Sequence, residues 1–248
     1  MRLTKDIYVS SVRSLTAVAG PIGLLGYLER NRQSRACLYL RSLFSIYDAT
    51  DLAKLDLPWW TFGAIDHVDA ILRERGAHMT VFEYGSGAST LWLARRCRMV
   101  YSVEHDPDWA GQARLLCEGH ANASISSVPA TQAVPSTRCR SQRAGWTNLS
   151  FDRYVESIRT HPFDFDLIVI DGRCRAECLS EAMRKLKDGG LIVFDNSNRR
   201  RYRDAIDGVV LERKIFRGLV PSLPFPGETT IFQSAGVPAG EDSKSPSW

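Results

Sequence analysis

Between residues 80 and 194 the apolar positions fall in short runs of four or five, 80–84, 99–103, 125–128, 167–170 and 191–194, rich in Val, Ile, Leu and Phe. Runs of this length and residue type are expected to be buried strands. Helical spacing precedes them over 62–75 and separates them over 90–96, 107–118, 151–159 and 176–186. Alternating strands and helices imply a parallel sheet with helices on both faces, because each parallel return needs a right-handed crossover. Asp188-Gly189-Gly190 is expected to close the last of these helices as a C-terminal cap. Residues 209–216 and 229–233 have only a Pro/Gly loop, 221–227, between them and suit an antiparallel pair at one edge. The expected fold is an α/β, doubly wound, mostly parallel seven-stranded sheet with an antiparallel edge strand.

Residues 1–57 carry no strand pattern and are expected to form a helical N-terminal extension, with 58–235 as the main domain. The apolar stretch 15–28, LTAVAGPIGLLGYL, is too short to span a bilayer of ~30 Å and is weakened by Gly20, Pro21, Gly23 and Gly26, so no transmembrane segment is expected. The Pro, Gly, Ser and charge-rich tail 236–248 is expected to be disordered. The polar, irregular segment 131–150, which carries one Trp, interrupts the alternation as an insertion and reads as a lid.

Composition adds limits. The chain has 248 residues, 44% of them hydrophobic and 24% charged, the profile of one globular domain with a sizeable core. A net charge of +4 is too mild to indicate a dedicated nucleic-acid binder, and no RNA module is present. The six cysteines show no CxxC pair, which points to free thiols in a cytoplasmic protein.

Ligands of doubly wound sheets bind at the carboxyl ends of the strands. The first apolar run ends there in Glu83-Tyr84-Gly85-Ser86-Gly87-Ala88-Ser89-Thr90, whose glycines permit a tight turn and close backbone approach ahead of a helix N-terminus. The second ends in Glu104-His105, with an acid placed to grip ribose hydroxyls. Thr90 stands where dinucleotide binders prefer a third glycine, and a carboxylate two residues before the first glycine suits a cofactor with a cationic aminoacyl group. S-Adenosylmethionine has that group and NAD lacks it. Taken singly, the glycines also suit a bare strand-to-helix turn, and Glu104 a helix cap ahead of Pro107.

The segments VFEYGSGAST, VYSVEHDPDW, FDLIVIDG and KDGGLIVFDN resemble successive motifs of class I, Rossmann-like S-adenosylmethionine-dependent methyltransferases. The Gly-Ser-Gly-Ala-Ser-Thr wording, with Pro58-Trp59-Trp60 ahead of the first strand, is similar to a bacterial subgroup. The resemblance implies cofactor binding by Glu83, Tyr84, Gly85, Ser86, Gly87, Ser89, Thr90, Glu104, His105 and Asp171. It implies methyl transfer to an oxygen, less readily a nitrogen, of a small molecule or glycan. The alternatives are a non-catalytic cofactor-binding or assembly module, with the extension as a homo-oligomer interface, and an NAD-dependent oxidoreductase.

The fourth run ends in Asp171-Gly172-Arg173 and the fifth in Asp195-Asn196, which brings two acids and an amide to one rim. Three such oxygen ligands suit Mg²⁺. The set Asp171, Asp195 and Asn196 resembles the metal site of catechol and caffeoyl-CoA O-methyltransferases, where the ion orients the acceptor oxygen. A departure is that Cys174 stands where that family places a Lys. The metal-free alternative makes Asp171 the general base. The run Asn198-Arg199-Arg200-Arg201-Tyr202-Arg203 is either a solvated face or a contact for an anionic substrate.

Overall fold

The computed structural model describes residues 23–45, 48–141 and 145–235. Most of the apolar stretch 15–28, part of the 131–150 insertion and the tail 236–248 lie outside the described residues. Short helices α1 (Leu24–Arg30), α2 (Arg35–Ser42) and α3 (Ala49–Lys54) precede the long α4 (Phe62–Arg75). There follow β1 (Thr80–Tyr84), α5 (Ala88–Ala94), β2 (Met99–Glu104), α6 (Pro107–Leu116) and β3 (Ala123–Ser127). Beyond the short strands β4 (Thr131–Gln132) and β5 (Leu149–Ser150) come α7 (Asp152–Glu156), β6 (Phe165–Ile170), α8 (Arg175–Arg184) and β7 (Leu186–Asp195). The chain then runs through α9 (Arg203–Asp207), β8 (Glu212–Leu219) and β9 (Pro226–Gln233).

Seven strands form one sheet in the order β3-β2-β1-β6-β7-β9-β8. The first five pair in parallel, while β9 runs antiparallel between β7 and β8. The chain starts at β1, winds outward to β3, and returns to β6 on the other side. The reversal of winding between β1 and β6 opens a crevice at their carboxyl ends. Successive residues of these strands feed opposite faces. Val81, Leu167 and Val169 join a core with α4 and α5, whereas Phe82, Ile168 and Ile170 join one with α7 and α8.

Two features differ from the sequence reading. The last long helix stops at Arg184, and Asp188-Gly189-Gly190 lies inside β7, not at a helix end. Phe165 pairs with Leu186 but Leu167 pairs with Leu191, so residues 187–190 bulge out of the ladder, with Gly189 at φ 72°. Lys187 is anchored on the bulge by Asp166 at 2.9 Å. The insertion is closed at its base by pairing of β4 with β5 and of Arg140 with Ser150. The end of the expected extension packs into the main core, since Leu52, Leu55 and Leu57 are buried in the cluster that holds Val81 and Trp92. No helix among the described residues is long and apolar enough to cross a membrane. All six cysteines are free thiols.

Candidate functional site

The turn after β1 is built around Glu83. Its side chain is fully buried, with Oε1 accepting from the Ser89 hydroxyl at 2.5 Å and Oε2 accepting from Thr90 at 2.5 Å and Ser102 at 2.6 Å. Burial pushes its carboxyl up to about 7 despite those three hydrogen bonds, and the nearby charge of Glu104 adds to the rise. Thr90 in turn accepts from the Gly87 N–H at 2.9 Å, and Ser86 Oγ lies 2.8 Å from Ser102 Oγ. Because Ser102 donates to Glu83, Ser86 is the donor to Ser102. Glu83 therefore shapes the turn from behind while Gly85, Ser86, Gly87 and Ser89 face a cavity of about 530 Å³.

Gly85 is required for two reasons. Its φ of +98° is left-handed, and a Cβ there would stand 2.9 Å from both Cα and N of Gly172. The β1 and β6 turns thus touch through two glycines, beside the hydrogen bond from Asp171 N–H to Tyr84 O at 2.9 Å. Tyr84 itself points away from the cavity and donates to Val155 O at 2.7 Å.

Glu104 closes β2 on the cavity wall. Oε2 accepts from Ser86 N–H at 3.2 Å, and Oε1 accepts from the N–H groups of His105 at 2.8 Å and Asp106 at 3.0 Å. It is not the helix cap. Asp106 fills that role, accepting from Asp108 and Trp109 N–H ahead of Pro107, so the Glu104 carboxylate keeps its position against the cavity. His105 beside it is packed among Trp146, Phe151 and Tyr154, with ring centroids 5.3 to 5.9 Å away. Its Nε2 accepts from Arg173 Nε at 3.2 Å, and its Nδ1 lies 2.5 Å from Glu104 Oε1 without the alignment of a hydrogen bond. Trp109 donates from Nε1 to Ser86 O at 2.7 Å and floors the turn beneath Gly87.

On the other half, Asp171 lines the cavity, whereas Asp195 and Asn196 do not. Between the two acids sits Arg175, buried at the first position of α8. Its Nη2 donates to Asp171 Oδ1 at 2.6 Å and Asp171 O at 2.8 Å, its Nε donates to Gly172 O at 3.1 Å, and its Nη1 donates to the Asp195 carbonyl and reaches Asp195 Oδ2 at 3.4 Å. Thr229 Oγ1 donates to Asp195 Oδ1 at 3.0 Å, and the Asn196 amide donates to Oδ2. Burial raises both carboxyls, opposed by the Arg175 charge and, for Asp171, aided by its acidic neighbours.

This arrangement corrects the expected Mg²⁺ ligation by Asp171, Asp195 and Asn196. A guanidinium already occupies the position between the carboxylates, and Asn196 presents its N–H to Asp195 rather than an oxygen to a cation. Among the described residues, no group of three or more His, Cys, Asp or Glu side chains is placed to hold a metal ion. The residues do not fit the ion.

The donor set fits S-adenosylmethionine better. A glycine turn that lines the cavity with Gly85 and Gly87, a carboxylate held at the cavity wall and an aromatic bed at His105 and Trp146 converge on one space. The insertion adds Arg140, Ser141 and Trp146 to the same lining, and Trp59 of the Pro-Trp segment joins it. Its neighbour Trp60 is core, edge-on to Trp92 at 5.7 Å. Sequence reasoning missed Arg175, Trp109 and Ser102 as parts of the site. Arg175 had a signal, an arginine four residues after an acid at a strand end, the spacing of an ion pair across one helical turn.

Residues 82–197 match the family model described as a methyltransferase domain. No curated protein sequence matches the chain significantly. Among solved structures, the chain is similar to an O-methyltransferase from Bacillus cereus in complex with SAH, at TM-score 0.54 and 18% identity over 78% of this chain and 90% of that one. It is also similar to the O-methyltransferase TomG from Streptomyces achromogenes, involved in tomaymycin synthesis and in complex with SAM, at TM-score 0.52 and 16% identity over 76% and 90%. These likenesses establish the fold, and the matched region runs from within β1 to just past β7, spanning every strand end that lines the cavity. Residues 82–197 are thus a methyltransferase domain by that match, set in a Rossmann-like methyltransferase fold.

Proposed function

We propose that the protein transfers a methyl group from S-adenosylmethionine to a hydroxyl of a small molecule or glycan without a metal ion, with Asp171 as general base. The observation that carries this reading is the meeting of the Gly85 turn, Glu104 and Asp171 around one cavity at the point where the sheet reverses its winding. The Gly85-Ser86-Gly87 turn, with Ser89, would hold the aminoacyl end of the cofactor, Glu104 would accept from its ribose hydroxyls, and His105 would pack by its adenine. Glu83, Tyr84 and Thr90 support that turn from below. Bound there, S-adenosylmethionine supplies an electrophilic methyl on a sulfonium.

Asp171 lines the cavity with one oxygen engaged by Arg175, so its carboxyl is fixed in direction and able to receive the acceptor's hydroxyl proton. Burial raises its pKa, which makes it a stronger base than a solvated carboxylate once ionised. Asp195 and Asn196 act through Arg175 and hold it in register. Titration calorimetry with S-adenosylhomocysteine tests the cofactor assignment: Glu104→Ala should weaken binding at least tenfold. Asp171→Ala should bind within a few-fold of the parent yet show no methyl transfer. Binding of NAD in place of S-adenosylhomocysteine, or undiminished transfer by Asp171→Ala, would overturn the assignment.

A further inference from the structure

Beyond the two strand-end acids, the cavity is bordered by guanidiniums from three separate parts of the chain. Arg140 comes from the insertion, Arg173 from the turn after β6, and Arg199 and Arg201 from the segment after β7. Within the run Arg199-Arg200-Arg201-Tyr202-Arg203 the lining takes only alternate arginines, leaving Arg200 and Arg203 outside. A merely solvated charge run has no reason to converge in this way on a cavity already bordered by arginines from elsewhere.

The charges are also divided in space. Glu104 and Asp106 stand at the β2 side, which the proposed cofactor would occupy and toward which Arg173 reaches His105, while Arg199 and Arg201 stand at the β7 side. On that second side Asp171 and Asp195 are both engaged by Arg175, and Glu177 at the start of α8 is the one further acid in the lining. Arg199 and Arg201 form no ion pair among the described residues. Arg201 Nη2 donates to the Tyr202 hydroxyl at 3.0 Å, with its guanidinium 4.8 Å from that ring's centre. Partial burial, then the charges of Arg175 and Arg201, hold Arg199 below its ordinary range. An anion placed there would relieve this mutual repulsion.

Resting on the reading of the β2 side as the cofactor half, we infer that Arg199 and Arg201, with Arg140, form an anion-binding arm of the acceptor half, and that the methyl acceptor is a small molecule carrying a phosphoryl group. A guanidinium presents its N–H groups in a planar fork that matches phosphate oxygens. One such fork satisfies a carboxylate. A cluster of them matches the greater charge and the three terminal oxygens of a phosphomonoester. The arm shares a cavity of about 530 Å³ with the cofactor half, which favours a compact ligand over a polymer.

The test is calorimetric titration of the S-adenosylhomocysteine-saturated protein with inorganic phosphate at constant ionic strength, chloride serving as the control anion. Saturable binding is expected. Arg199→Gln combined with Arg201→Gln should weaken it at least tenfold, whereas Arg200→Gln combined with Arg203→Gln should change it less than twofold. Circular dichroism melts of both double variants check that the fold is kept. Absence of saturable phosphate binding, or equal weakening by the two pairs, would overturn the arm. A short single-stranded RNA that binds more tightly than phosphate, with both arginine pairs contributing equally, would overturn the small-molecule assignment. Failure of S-adenosylhomocysteine to bind would instead remove the cofactor reading; phosphate binding to the unliganded protein, sensitive to the Arg199 and Arg201 pair alone, would still uphold the anion site.

Discussion

At the scale of single residues, Glu83 couples the cofactor turn to pH. Its carboxyl is raised from 4.5 to about 7 in the folded chain, so between those values the folded state holds a proton that the unfolded state has released. Its contribution to stability is therefore complete below about 4.5 and is lost as pH rises through 7, a change of about 3 kcal/mol. Glu83→Gln removes the ionisation while keeping the shape. Its urea midpoint should exceed the parent's at pH 8.5 and match or fall below it at pH 5. Parallel profiles for the two proteins would show that Glu83 does not titrate in this window. Arg175 presents the opposite problem, a buried cation whose removal leaves two buried carboxylates facing each other. Arg175→Met should cost about 3–5 kcal/mol, read from urea denaturation at pH 7.5. The loss should shrink at pH 5, where raised carboxyls take up protons and no longer need a counter-charge.

At the scale of elements, the β1 turn and the β6 turn act as one unit because their glycines touch. Gly85→Ala places a methyl against backbone atoms that have no freedom to move, at a left-handed φ. It should lose about 1–3 kcal/mol of stability from strain alone and weaken S-adenosylhomocysteine binding by at least tenfold. Gly111→Ala is the matched control, lying within α6 where the new methyl meets nothing within 4 Å. It should leave binding unchanged and gain up to about 1 kcal/mol of helix stability. Much of this unit was legible in the sequence, since apolar runs locate strand ends and the strand ends locate Gly85, Glu104 and Asp171. What was not legible depends on contacts without a local period. The bulge at 187–190 arises from register against β6, so a glycine pair that reads as a helix cap becomes part of a strand. β4 and β5 are two residues each and carry no alternation that could reveal them. The metal reading failed at Arg175 for the same reason. Strand ends predict which acids share a rim, but only the packed helix start shows that a guanidinium already fills the space between them.

At the scale of the whole molecule, the expected division between residues 1–57 and 58–235 runs through a shared core. Leu52 is fully buried, Leu55 and Leu57 nearly so, and they join the cluster of Trp60, Val81 and Trp92 on the face of the sheet covered by α4 and α5. Asp56 adds an ionic tie to the same helix end, accepting from Arg95 at 2.9 Å and Arg96 at 2.5 Å. Arg96 also reaches Asp69 of α4 at 2.7 Å and lies 4.2 Å over the Trp92 ring. Burial of these apolar side chains makes the link expensive to break, since Leu→Ala at such positions costs about 2–5 kcal/mol each, a large part of a domain's total stability. A chain that begins at residue 58 should therefore fail to unfold cooperatively and should bind no S-adenosylhomocysteine, although every residue that lines the cavity, from Trp59 onward, would still be present. The paired substitution Leu52→Ala and Leu57→Ala separates lost packing from lost chain. It should lower the thermal midpoint of the full-length protein by well over 10 °C, while leaving S-adenosylhomocysteine affinity within a few-fold of the parent at temperatures where the variant stays folded. A cooperative, cofactor-binding protein starting at residue 58 would show that residues 49–57 are an appendage after all, and that the sheet and its helices close their own core.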